Sequence, residues 1–418
     1  MHTIIHGDCL EELKKLDDNS VDAVICDPPY GLSNTKPQQV ADVLKAWVTG
    51  DTVSVPAKRG GFMGKDWDSF VPPPAVWAEC MRVLKPGGHM AVFAGARTQD
   101  LMGLSIRLAG FEIRDALGWI YGSGFPKSMD VSKAIDKAAG KKGAVIGERT
   151  FGKTSTGQNS GWNKNNVASS GRQDILAPAT PEAEQWDGWG TALKPAIEPI
   201  ILARKPLDGT VANNVLAHGV GGLNIDACRV STDDDTSRPN GVTAIWQEDG
   251  TAKAGIGGGS PAGRFPANVL LDEHAAEEMD KQSGTSVSKR SPRSNGTDHT
   301  GAESYTPDAG SMEPRGHNDS GGASRFFPVF KYQAKAPKRE RPVIVREDGT
   351  KVQHPTVKPL KLMEWLVTLI TPEGGTILDP FAGTGTTLQA ATNKGFQPIG
   401  IEADADYIQL IQIGRAHV

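Results

Sequence analysis

The chain is poor in cysteine. Its four cysteines, Cys9, Cys26, Cys80 and Cys228, lie far apart and form no Cys-x-x-Cys pair. That spacing argues against a disulfide framework or a cysteine-built zinc site, no metal is expected, and a reducing cytosol suits it. Long apolar runs are also missing: none reaches the roughly 18 residues of a membrane span. The start, Met1-His2-Thr3-Ile4-Ile5-His6, lacks the basic-then-apolar layout of a signal peptide. Neither sign of charge dominates. The 45 Lys/Arg and 49 Asp/Glu leave a net charge of −4, which argues against bulk coating of nucleic acid but leaves room for a local basic face. Glycine (49) and proline (28) are plentiful, and without a Gly-X-Y period they point to large loops rather than collagen. At 418 residues and 38% hydrophobic content the chain can bury a sizeable core, in two or three units of about 150 residues.

Two ordered stretches flank an irregular middle. From Thr3 to Tyr121 short apolar runs alternate with helical periods. Strands are expected at 3–7, 21–26, 89–95 and 111–121, and helices at 9–16, 75–84 and 97–109, with Pro86-Gly87-Gly88 stopping the second helix. This alternation argues for a parallel sheet with helices on its faces. Residues 147–189, rich in Gly, Ser, Thr and Asn, read mostly as loop. Residues 196–205 regain strand character and are expected to pair antiparallel with 111–121. Trp186 and Trp189 are expected to pack against that strand. A second insertion, 207–345, keeps short apolar islands at 213–216, 223–230, 265–271 and 326–332. Order returns at His354. Pro359 suits a first helical position, Leu362, Trp365, Leu366 and Leu369 form an apolar stripe, and Gly374-Gly375 end the helix. Strand 376–378, helix 383–393 and strand 397–401 follow, and the closing helix from Tyr407 is expected to be longer than the residues up to Val418 allow.

Two strand tips carry chemistry. Ile377-Leu378-Asp379-Pro380-Phe381-Ala382-Gly383-Thr384-Gly385-Thr386-Thr387 is a strand, a turn and a helix start, whose glycines let a ligand approach the backbone. Glu402 ends the next strand, where an acid can accept hydrogen bonds from ribose hydroxyls. No Lys follows Gly385, so the turn is not a Walker loop, and Leu388 stands where a dinucleotide fingerprint has its third glycine. Asp379 would repel a pyrophosphate but suits a cationic amino group. A nucleoside-bearing cofactor is therefore favoured, although a GxG turn alone is also just a tight turn. The second tip, Asp27-Pro28-Pro29-Tyr30, follows a buried-type strand, where open α/β sheets place ligands. Its prolines fix the backbone and remove two N–H donors. A carboxylate, free carbonyls and a flat ring match an exocyclic amine on a planar base; in isolation the tetrapeptide also reads as an ordinary turn.

Together these residues resemble the S-adenosylmethionine-dependent DNA amino-methyltransferases that act on adenine N6 or cytosine N4. Asp27-Pro28-Pro29-Tyr30 resembles their catalytic motif and Asp379–Gly385 their cofactor loop. The order, catalytic motif first and cofactor loop last, is that of the beta class. Gly7-Asp8-Cys9 resembles the element whose acid contacts the cofactor adenine. His354-Pro355-Thr356-Val357-Lys358-Pro359 resembles the segment whose Thr356 and Lys358 equivalents lie near the methionine carboxylate. Gly122-Ser123-Gly124-Phe125-Pro126-Lys127 and 196–206 resemble segments of phage and prophage adenine methyltransferases. The resemblance covers about 1–135, 186–230 and 350–410; stretches 150–180 and 231–260 match nothing assignable.

The resemblance implies a Rossmann-like α/β sheet, mostly parallel with an antiparallel edge hairpin, circularly permuted and carrying an irregular recognition insert. Its expected parts are a catalytic half at 1–206 with a loop at about 141–193, a target-recognition insert at 207–345, and a cofactor half at 346–418. It implies Asp27, Pro28, Pro29 and Tyr30 as catalytic residues. Asp8, Cys9, Thr356, Lys358, Asp379, Pro380, Phe381, Ala382, Gly383, Thr384, Gly385, Thr386 and Glu402 are the expected cofactor residues, and double-stranded DNA the partner. From Lys281 to Arg341 there are eleven Lys/Arg against six Asp/Glu, a surplus of five in an acidic chain. Lys335, Lys338, Arg339 and Arg341, with Lys127, are the expected DNA contacts. Asp rather than Ser at the first catalytic position goes more often with adenine than with cytosine. Methylation of RNA or a protein amide, and an inactive DNA-binding module, are the competing readings.

Overall fold

Val21–Cys26 (β2) has all six residues buried, because it runs through the middle of a sheet covered on both faces. Among the described residues it belongs to a nine-stranded sheet of β1 (Thr3–His6), β2, β3 (Leu84–Phe93), β4 (Glu112–Ile120), β5 (Ile197–Arg204), β6 (Val269–Asp272), β7 (Val329–Phe330), β8 (Thr376–Asp379) and β9 (Gln397–Glu402). Their order across the sheet is β1-β9-β8-β2-β3-β5-β4-β6-β7. All neighbours are parallel except β5, which runs antiparallel to both β3 and β4. The computed structural model describes residues 3–33, 35–56, 68–122, 124, 128–150, 172–232, 242–246, 252–256, 262–287, 319–330, 343–345, 351–352 and 357–415. It has two compact units, Met1–Ser123 with Ile197–Val418, and Gly124–Ala196.

Alternation along the strands divides the core in two. Val24 and Cys26 of β2, Met90 and Val92 of β3, and Ile201 and Ala203 of β5 pack with Trp77, Cys80, Met102 and Ile106 from the helices Pro74–Val83 and Gln99–Leu108. Ala23 and Ile25, Ala91 and Phe93, and Ile200 and Leu202 face the other way. They meet Leu362, Leu366 and Ile370 of helix Leu360–Ile370 and Ala390 and Ala391 of helix Thr386–Asn393. The apolar stripe of Leu360–Ile370 thus lies in the second core; Pro359 caps the helix rather than opening it.

The antiparallel pairing of β4 with β5 forms as expected, with Ile113↔Ala203 and Ile120↔Ile197 in register. It does not end the sheet. β6 and β7, both drawn from 207–345, add two parallel strands beyond β4. Pro86-Gly87-Gly88 does not separate helix from strand either. β3 begins at Leu84 and passes through it, and Gly87, at φ +76°, leaves room for Asn214, whose amide donates to the Pro86 carbonyl. Within 124–196 the expected loop contains an antiparallel pair, Val145–Thr150 with Arg172–Leu176, and a short helix Pro181–Gln185 capped by Thr180. Trp186 and Trp189 meet edge to face at 5.0 Å and both stay exposed. Among the described residues no helix is long and apolar enough to cross a membrane, and no cluster of His, Cys, Asp or Glu is placed to hold a metal ion.

His89 sits in the middle of this sheet opposite Arg204, 4% exposed. Burial first, then the charges of Arg204 and Arg114, push its imidazole down to about 4. The folded state therefore holds it neutral, while an unfolded histidine takes a proton below about pH 6.5. Its contribution to stability is present above that pH and is lost as pH falls towards 4, on the order of 3 kcal/mol in all. Urea melts at pH 7 and pH 4 should show the wild type losing ground relative to His89→Gln as pH falls. A constant difference would contradict this.

Candidate active site

In a parallel sheet the carboxyl ends of the strands share one edge. Here that edge collects acids. β2 runs out into Asp27, β8 ends in Asp379, β9 ends in Glu402, and β1 is followed by Gly7 and Asp8. Register brings the tips together: Leu378 of β8 lies opposite Val24 of β2, Asp379 opposite Gly400 of β9, and Glu402 opposite His6 of β1.

The turn after β8 is built for close approach. Gly385 adopts φ +81°, and a Cβ there would also press on Ile411 at 3.1 Å. Glu402 receives the Gly383 N–H at 2.7 Å on one oxygen and the Asp404 N–H at 2.8 Å on the other, so its carboxylate is fixed beside the turn. Asp379 accepts the Phe381 N–H at 3.0 Å. Burial, then the charges of Asp27 and Glu402, push the Asp379 carboxyl up to about 7 against the pull of its Thr387 and Phe381 hydrogen bonds. Burial also raises Glu402. Leu388 fills the place of a third glycine and packs over Gly400; the close helix–strand contact is made by a glycine on the strand instead. Phe381 packs against Trp77, and Ala382 is buried and bonds to the end of β9. Pro380 and Thr384 complete the turn, and Thr386 opens the helix behind it.

Asp8 caps helix Cys9–Leu13, accepting the Leu10 and Glu11 N–H groups at 3.0 and 3.4 Å. Burial, then the Asp8 charge, pushes the Cys9 thiol up to about 12, which makes it a packing residue rather than a nucleophile.

The Asp27–Tyr30 tip is held from outside by residues the sequence did not single out. The Asp68 carboxylate accepts the N–H groups of Tyr30 at 2.7 Å and Gly31 at 3.0 Å, and the Thr98 hydroxyl donates to the Tyr30 carbonyl at 2.6 Å. Lys358 comes to this tip. Its ammonium donates to Asp27 at 2.6 Å and to the Tyr30 hydroxyl at 3.0 Å, and lies 3.3 Å from Glu198. Burial would lower the Lys358 ammonium, but the charges of Asp27 and Glu198 outweigh it and hold it above the ordinary lysine value. Burial, then Asp27 and Glu198, pushes the Tyr30 phenol well up, so it stays protonated. Thr356, Lys127, Lys335, Lys338, Arg339 and Arg341 lie outside the described residues. Glu198 has a faint sequence signal, one acid at the head of the apolar run Pro199–Ala203; Asp68 and Thr98 have none, since their partners are backbone groups remote in sequence.

A rigid tip with a carboxylate and a ring, next to a glycine turn ringed by acids, can hold an amine beside a positively charged ligand. A family model for DNA methylase matches residues 21–413. Type II methyltransferase M.HindIII of Haemophilus influenzae is 24% identical over 420 aligned residues, covering 96% of this chain and 90% of that protein. DNA adenine methyltransferase YhdJ of Escherichia coli is 35% identical over 121 residues, 29% of this chain and 34% of that protein. The solved M1.HpyAVI–SAM complex aligns at a TM-score of 0.39 and 14% identity, covering 99% of each chain.

Asp379 makes the site costly to keep. Its raised folded-state value means that ionising it opposes folding; this cost is absent below about pH 4 and complete above about pH 7. Asp379→Asn should therefore raise the unfolding free energy at pH 8 by an amount on the order of 4 kcal/mol and leave it unchanged near pH 4. Urea titrations at the two pH values measure it. Equal effects at both would show that Asp379 is not held in this way.

Proposed function

The chain belongs to the DNA methylase family, and from that premise we propose that it transfers a methyl group from S-adenosylmethionine to the exocyclic amine of a base in DNA, adenine N6. The observation that carries the proposal is the juxtaposition of the Asp27–Tyr30 tip with the acidic glycine turn on the adjacent strand. Asp at the first position of the tip and the likeness to an adenine methyltransferase favour adenine over cytosine N4.

The residues fit the cofactor. Asp379 is a buried acid and Glu402 a half-buried one beside a turn whose backbone leaves room for a ligand, and an excess of carboxylates over ammonium groups suits a cation. Glu402 would take the ribose hydroxyls, Asp8 and Cys9 the adenine side, and the turn from Asp379 through Thr386 the amino-acid end, with Thr356 beside it. S-adenosylmethionine supplies a methyl group on a positively charged sulfur, which leaves as a neutral thioether.

The chain's own work is positioning. An exocyclic amine is a weak nucleophile because its lone pair is delocalised into the ring. Asp27 and the Pro28 carbonyl would accept its two N–H bonds and direct the lone pair at the methyl carbon, with Pro29 keeping the tip rigid. As the N–C bond forms, one N–H proton leaves the nitrogen to the Asp27 carboxylate it already bonds, and then to water. Tyr30 would stack on the base. Alignment of two reactants in this way supplies most of the acceleration when the leaving group is already good. A base inside a duplex must be flipped out to reach such a tip. Residues 207–345, with Lys335, Lys338, Arg339, Arg341 and also Lys127, would supply phosphate contacts that offset this. Neutralising the four residues from Lys335 to Arg341 tests that assignment: an undiminished salt dependence of DNA binding would remove it.

Asp27→Ala should abolish methyl transfer and leave S-adenosylmethionine affinity unchanged in calorimetry. Glu402→Ala should weaken that affinity by about 1.5–3 kcal/mol, the worth of hydrogen bonds to a charged group. Parallel loss of cofactor affinity in Asp27→Ala would place Asp27 in the cofactor site instead.

A further inference from the structure

The ammonium beside Asp27 is shared. Lys358 is nearly buried, and besides Asp27 and the Tyr30 hydroxyl it faces Glu198 at 3.3 Å. Its charge also lies over the ring of Phe93 at 4.9 Å and that of Tyr30 at 5.3 Å. Glu198 reaches this place because of the one reversed strand. β5 runs against its neighbours, so its first residues, not its last, lie at the edge where β2 and β3 end; Phe93 of β3 pairs with Ile200. From Pro199 to Arg204 every residue of β5 is buried. An acid two places into this strand, turned towards a buried ammonium, adds nothing to apolar packing. It also answers a problem of the tip. A lysine paired with Asp27 alone would neutralise the group that must accept the target amine and would be free to swing with it. A second carboxylate divides the lysine's charge and pins its position, leaving the cluster of two acids and one ammonium net negative.

We propose that Glu198 is a positioning residue for methyl transfer: it anchors the Lys358 ammonium, which grips one oxygen of Asp27 and turns the other towards the target amine. The proposal rests on the reading of Asp27 as the acceptor of that amine. Glu198 touches neither base nor cofactor; its effect passes through Lys358. Its removal therefore loosens the geometry of the reacting groups and leaves the binding of both substrates alone.

The test measures methyl transfer to DNA with labelled S-adenosylmethionine for Glu198→Gln, Glu198→Asp, Lys358→Met, the Glu198→Gln/Lys358→Met double variant and Asp27→Ala, with thermal unfolding of each. Glu198→Gln should lower kcat between about 10- and 100-fold, as misplacement of reacting groups does, with KM for DNA and Kd for S-adenosylmethionine unchanged. Glu198→Asp, which keeps the charge, should recover part of the loss and also covers the case in which the glutamine variant does not fold. Added to Lys358→Met, Glu198→Gln should cost nothing more, because both act through one contact. A normal kcat in Glu198→Gln with Asp27→Ala inactive overturns the proposal alone. So does a loss confined to KM, or a full additional loss in the double variant. An active Asp27→Ala overturns the reading of Asp27, and the proposal falls with it.

Discussion

A buried ammonium has to be surrounded by negative charge, and meeting that need at Lys358 draws three remote segments into one place. Lys358 donates to Asp27 across 331 residues of sequence and to Tyr30 across 328, and it faces Glu198 on a third segment. Removing one partner of such a group leaves a charge uncompensated in the interior, which is far more destabilising than losing a surface pair. The cluster thus ties the first strands of the chain to the segment that leads into the last ones. The two halves of the sheet are not merely adjacent; they share a charge at the edge where ligands of open α/β sheets sit.

The topology makes that sharing possible. β8 and β9 come from the end of the chain yet lie between β1 and β2 from its beginning. The acidic glycine turn after β8 is thereby set next to the Asp27 tip after β2. Asp68 and Thr98 fix that tip through its backbone, so its rigidity comes from the prolines and from contacts outside the motif. At the other tip, burial first, and then the charges of Asp27 and Glu402, raise the Asp379 carboxyl. In the proposed function a cationic cofactor beside Asp379 would offset part of the cost of ionising it.

What was legible in the sequence follows from what is local. β2 was readable because a strand buried on both faces is nearly all apolar, Asp22 being the one polar residue in it, and the glycine turn because strand, turn and helix start are consecutive. The antiparallel pairing of 196–205 with 111–121 was readable from two stretches of strand character of similar length. The continuation of the sheet through β6 and β7 was not: β7 is two residues long, and its pairing is decided by distant neighbours. The Val145–Thr150 and Arg172–Leu176 pair was missed because none of its described side chains, at 145–148 and 174–176, is buried, so no apolar alternation marks them. The motif around Lys358 pointed to the cofactor, whereas the structure sets its ammonium against Asp27, Tyr30 and Glu198. A lysine and a glutamate 160 residues apart meet because β5 is reversed, a fact of topology with no trace in the spacing of either residue.

The central claim is that this edge joins an amine acceptor to a methyl donor and acts on adenine in DNA. Incubating the purified chain with DNA and methyl-labelled S-adenosylmethionine, digesting the DNA to nucleosides and separating them by mass tests it most directly. Label is expected in N6-methyl-2′-deoxyadenosine and is abolished in Asp27→Ala. Label in N4-methylcytosine would contradict the choice of base, and an absence of labelled nucleoside with intact cofactor binding would contradict the enzymatic reading itself.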